Sequence, residues 1–109
     1  HILGGSAGVP HGHTSCIMLP YVLKWNESIN GERQKEVAIA MGRAGVPASD
    51  VLDDFIRDLD MPRTIRETGV EEDDLPRLAE NCMLDGWTFS NPREIRSPGQ
   101  VMEILRMAY

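Results

Sequence analysis

The sequence predicts an all-α fold, a helical bundle domain of about five helices. Apolar residues recur at helical spacing in several windows, as in Val51, Leu52, Phe55, Ile56 and Leu59 and again in Leu75, Leu78, Ala79, Cys82 and Met83. Prolines, glycines and acidic residues stand where helices begin and end. No window alternates apolar and polar residues as a half-buried strand would, and there is no internal repeat or low-complexity segment.

In chain order, Ser6-Ala7-Gly8-Val9 reads as a small-residue loop, and Gly4 to Gly8 as a flexible turn between helices. Pro10 suits a first helical turn, where its missing N–H costs nothing. A helix is therefore expected from Pro10 to Trp25. Cys16, Ile17, Met18, Leu19, Val22 and Leu23 make it apolar on more than one face, which marks a central helix, and Pro20 should bend it. Asn26 to Gly31 is a polar break before a half-exposed helix, Glu32 to Gly42, that places Val37, Ala40 and Met41 inward.

Ala44-Gly45-Val46-Pro47 is a turn, and Ser49 caps a third helix with Asp50 and Asp53 near its positive end. Asp60-Met61-Pro62 ends it, because the residue before proline is pushed out of helical geometry. Thr64 caps one short turn through Glu67. The acidic run Glu71 to Asp74 opens a fourth helix that can hold Pro76 only in its first turn. Asp85 to Arg96 lacks a period and reads as a long loop carrying Trp87 and Phe89, and long loops in compact domains tend to be functional. Ser97-Pro98 starts the last helix, with Val101, Ile104, Leu105 and Ala108 inward.

The length of 109 residues corresponds to one domain, short for an enzyme that must also bind a dinucleotide. Seventeen acidic residues against eleven Lys and Arg leave a net charge of -6, which repels a phosphate backbone and argues against nucleic acid as a partner. No apolar run approaches the roughly 20 residues of a membrane span. Cys16 and Cys82 fall on expected core faces and read as two reduced thiols, consistent with a cytoplasmic setting. The chain opens on His1 inside a Gly/His-rich stretch, with no leader before it, and this reads as a truncated N-terminus.

All three histidines lie in the first thirteen residues. His11 follows Pro10 at a helix start, a position that holds an imidazole rigidly enough to ligate a metal, although a histidine there is more often merely exposed or hydrogen-bonded. His11 and His13, two apart on a helix, point in different directions and do not share an ion comfortably. The glycines between could fold His1 back toward His11. Gly4-Gly5-Ser6-Ala7-Gly8 lacks the spacing and the Lys-Ser/Thr ending of a phosphate-binding loop.

His1-Ile-Leu-Gly-Gly, Val9-Pro10-His11-Gly12, Leu19-Pro20 and Asn26 together resemble the iron-containing (group III) alcohol dehydrogenases and maleylacetate reductases of the dehydroquinate-synthase-like fold. Leu59-Asp60-Met61-Pro62, Ile65 to Val70 and Ser90-Asn91-Pro92-Arg93 follow the same family's C-terminal order, so the resemblance spans essentially the whole chain. It implies that 1–109 is a partial C-terminal helical metal-binding domain. It makes His11 one of the ligands, usually one Asp and three His, of Fe2+ or Zn2+. It makes His1 the catalytic histidine near nicotinamide and substrate, and places Trp87 in a loop reaching the substrate cleft. The family's other ligands have no counterpart here, nor does the N-terminal domain that binds NAD or NADP.

The resemblance thus implies part of a metal-dependent, NAD(P)-linked oxidoreductase acting on a small alcohol or carbonyl substrate, inactive as this fragment alone and homo-oligomeric in its parent. The other reading is a non-catalytic helical interaction module. His13 receives no role.

Overall fold

The computed structural model describes residues 1–109 and contains five α-helices and no strand: α1 (Ile2–Ala7), α2 (His11–Ala40), α3 (Ala48–Asp58), α4 (Leu75–Cys82) and α5 (Pro98–Ala108). The all-α expectation holds, but the helices divide differently.

The expected turn over Gly4–Gly8 is the helix α1 up to Ala7, ended by Gly8 in the left-handed region at φ 69°. Leu3 gives this short helix a buried anchor, and Gly4 and Gly5 do not prevent it because Asn81 of α4 donates to the Ser6 hydroxyl at 3.2 Å. Tertiary contact has overridden a weak local preference. The two helices expected either side of Asn26–Gly31 are one helix, α2, broken in its dihedrals only at Asn30 (φ -124°, ψ 20°). Pro20 keeps helical dihedrals. The polar break closes because Gln34, itself buried, donates to the Leu23 carbonyl and the Asn30 side chain across the kink.

Two further expectations fail, one by two positions and one by a face. Ser49 does not cap α3; it is buried in the first turn, and Pro47 occupies the N-cap position. In the second half of α2, beyond the kink, the buried side chains are Gln34 and Ala38, while Val37 and Ala40 are exposed. The α3 stripe is half covered: Val51 and Ile56 are buried, but Phe55 and Leu59 are about half exposed.

The rest follows the sequence. Thr64 and Glu67 exchange hydrogen bonds in the reciprocal manner of a capping box, with Glu67 Oε2 accepting from Thr64 N at 2.6 Å and Thr64 Oγ1 accepting from Glu67 N at 3.4 Å. The acidic run forms a 3-10 turn, Glu72–Asp74, leading into α4 with Pro76 in its first turn. Ser97 is the N-cap residue of α5, without a side-chain cap bond.

The main core joins Leu3, Val9 and the first half of α2 to Ile65, Val70, α4, Ile95 and α5, with Ile17, Ile65, Leu75 and Leu78 fully buried. Ala38, Ala48, Val51 and Ile56 are buried apart from it, between the second half of α2 and α3. Arg63 and Arg57 pair with Asp53, and Arg57 and Arg43 with Asp54, over the surface of that second unit.

Candidate active-site cleft

A cleft of about 600 Å³ opens between α1, the first turns of α2, the end of α4 and the segment after it. Leu78, Val101, Ile104 and Leu105 give it an apolar floor, and His1, His11, Ser15 and Trp87 are on its walls. Three residues singled out from the sequence, His1, His11 and Trp87, therefore meet on one surface. His13 does not line it.

Two local devices bring the histidines together. The left-handed Gly8 turns the chain after α1, and Val9, whose N–H donates to the Leu3 carbonyl at 3.2 Å, tucks into the core. The chain then enters α2 at His11, whose carbonyl accepts from the buried Thr14 hydroxyl at 2.7 Å. The His1 and His11 rings stack with centroids 6.4 Å apart and 21° between their planes. The helix α1 thus does what the expected flexible turn was to do, with a fixed geometry.

The opposite wall is the expected loop 85–96, which contains a 3-10 helix, Gly86–Ser90. Trp87 is 73% exposed at its rim. Thr88 Oγ1 donates to the Cys82 carbonyl at 2.6 Å and ties this turn to the end of α4. Asn91 then forms a reciprocal amide pair with the buried Asn26 of α2, at 2.9 and 2.7 Å, and Arg93 donates to the Trp25 carbonyl at 3.1 Å. The loop is long but pinned at both ends.

Asp85 was not singled out from the sequence. Its carboxylate caps the 3-10 helix by accepting from Trp87 N at 3.1 Å, and lies 3.3 Å from His1 Nδ1. The signal for the cap was present as Asp-Gly-Trp at a helix start. The long-range contact to His1 was not readable. Cys82, half-buried on the cleft wall, has its thiol pushed above the ordinary value by burial, with Asp85 adding to the shift. Cys16 is likewise free and half-buried.

A neutral imidazole is an ordinary donor for iron or zinc, so His11 suits a ligand role. No three His, Cys, Asp or Glu side chains of this chain converge on one point. No helix is long and apolar enough to cross a membrane.

Residues 1–109 match the Fe-containing alcohol dehydrogenase family, C-terminal portion, over their whole length. The chain is 34% identical to the 1,3-propanediol dehydrogenase of Citrobacter freundii over 118 aligned residues, covering 100% of this chain and 30% of that protein. It is 33% identical to the lactaldehyde reductase of Escherichia coli (strain K12), covering 86% of this chain and 27% of that protein. The solved maleylacetate reductase from Rhizobium sp. strain MTP-10005 superposes with a TM-score of 0.84 at 28% identity, over 100% of this chain and 29% of that one. The chain thus spans about 30% of the length of its relatives. Its sequence and its fold place it in the same group: the chain belongs to the Fe-containing alcohol dehydrogenase family, as part of the C-terminal helical region of these oxidoreductases.

Proposed function

We propose that this chain forms one wall of the active site of a metal-dependent, NAD(P)-linked oxidoreductase that interconverts a small alcohol and its carbonyl. The observation that carries the reading is the meeting of His1, His11 and Trp87 on one cleft with an apolar floor. His11 would lend one imidazole nitrogen to Fe2+ or Zn2+, the remaining donors coming from outside residues 1–109. When bound, such a metal acts as a Lewis acid toward the substrate oxygen. His1 would hold or pass the proton that the alcohol gains or loses. The floor of Leu78, Ile104 and Leu105 would keep water from the reacting carbon, and Trp87 at the rim would meet the substrate. NAD or NADP would be bound mainly by the remainder of the protein, a reducing cytoplasmic setting would keep both thiols free, and the isolated chain would be inactive. Its relatives' names support this over a non-catalytic interaction module.

The test uses the full-length protein loaded with iron or zinc. Fluorescence titration should show NADH binding, and metal analysis should show that His11→Ala strips most of the bound metal. Absence of nicotinamide binding overturns the enzyme reading; an unchanged metal stoichiometry in His11→Ala overturns the ligand role.

A further inference from the structure

One carboxylate touches two of the residues that line the cleft, the backbone of Trp87 and the ring of His1. Asp85 Oδ1 accepts from the backbone N–H of Trp87 at 3.1 Å, and Asp85 Oδ2 lies 3.3 Å from His1 Nδ1. Its side chain is 19% exposed against 61% for that of His1. The carboxylate is therefore the more sheltered partner, held by the 3-10 turn it caps. An ionised carboxylate can only accept hydrogen bonds, so His1 Nδ1 must be the protonated ring nitrogen when this contact forms. The lone pair is then left on Nε2, at the far edge of the ring.

We propose that Asp85 is the positioning residue of the cleft, fixing His1 as its Nδ1–H tautomer with Nε2 as the proton acceptor and holding the Trp87 turn at the same time. The inference rests on the role given to His1 above. It explains why the turn begins with a carboxylate although its exposed N-terminus could be satisfied by serine, threonine or asparagine alone. It also ties the two walls together: a movement of the 86–90 turn shifts the partner of His1, and a substrate pressing on Trp87 is felt at the imidazole.

Asp85→Asn separates the two tasks. The asparagine oxygen can still accept from Trp87 N, so the turn and the fold persist, but its NH2 group faces His1 as a donor and favours the opposite tautomer. Nitrogen-15 NMR of the zinc-loaded full-length protein with labelled histidine, above the imidazole pKa and with the His1 signal assigned from a His1→Gln variant, reads this directly. The wild-type protein should show His1 protonated at Nδ1, and Asp85→Asn should move the proton to Nε2. An Nε2–H tautomer in the wild type, or the same tautomer in both proteins, overturns the proposal. In nicotinamide-linked turnover, Asp85→Asn should lower kcat on the order of 10- to 100-fold, as loss of an orienting partner does, while KM changes little; an unchanged kcat also overturns it. Asp85→Ala, which frees the turn as well, should raise KM in addition. Because the nitrogen spectra require no turnover, a protein that binds no nicotinamide refutes the function proposed above while the tautomer still decides this inference.

Discussion

The Arg93 guanidinium lies 3.9 Å from the centroid of the Trp25 ring, and the same group donates to the Trp25 carbonyl. The indole is 5% exposed, and its Nε1–H donates at 2.9 Å to Glu103 of α5. Stacking over a ring and bonding to a carbonyl use the planar fork of arginine, which a lysine lacks. Arg93→Ala should therefore destabilise the protein by about 2 kcal/mol in urea unfolding, and Arg93→Lys should recover less than half of that. A loss below about 0.5 kcal/mol for both would show that the stack contributes nothing beyond surface contact.

The amide pair of Asn26 and Asn91 gives a second prediction. Each side chain donates to and accepts from the other, at 2.9 and 2.7 Å, and Asn26 is 3% exposed. Asn26→Ala leaves the Asn91 amide short of a partner and should cost about 1–3 kcal/mol. In the double variant Asn26→Ala/Asn91→Ala the losses should be clearly less than additive, which a double-mutant cycle measures. Strict additivity would mean that the pair is not coupled.

The third concerns acid. Backbone and hydroxyl hydrogen bonds from Thr64, followed by the Arg63 N–H, hold the Glu67 carboxyl below its ordinary value of 4.5. A group whose native pKa is depressed contributes stability that is complete above the unfolded value and is lost as pH falls through the native one. Stability should therefore decline on acidification below about pH 4.5. Glu67→Gln should flatten that part of the profile while leaving it unchanged near neutrality in slope. Parallel profiles for the two proteins would remove Glu67 as a source of the acid sensitivity.

How much of this could be read beforehand depends on where each signal resides. The amphipathic stripes of α4 and α5 and their proline-marked starts are local, and Leu75, Leu78, Val101 and Ile104 are buried as the period requires. The kink at Asn30 was legible only as a polar stretch, because its closure depends on Gln34 reaching back to Leu23. The helix α1 was hidden by its two glycines, which are poor helix formers until α4 supplies a surface to pack on. In the cleft, His11 and His1 stood out as residue types and through the family resemblance, and Trp87 through its loop. Asp85 did not, since a carboxylate at a turn is commonplace and its partner is 84 residues away.

The division of α2 at Asn30 has a consequence for how the molecule can vary. Ahead of the kink the helix carries Ile17 and Trp25 into the main core and His11 into the cleft; beyond it, Ala38 is buried, as are Val51 and Ile56 of α3, outside that core. Among the side chains that join the two are Gln34, which reaches back to the Leu23 carbonyl, Tyr21, whose hydroxyl donates to the Arg63 carbonyl at 3.3 Å, and Arg63, whose guanidinium reaches Asp53 at 2.6 Å. The distal unit contributes no side chain to the cleft. Changes in it, as at its half-exposed Phe55 and Leu59, fall outside the lining in which the two histidines meet.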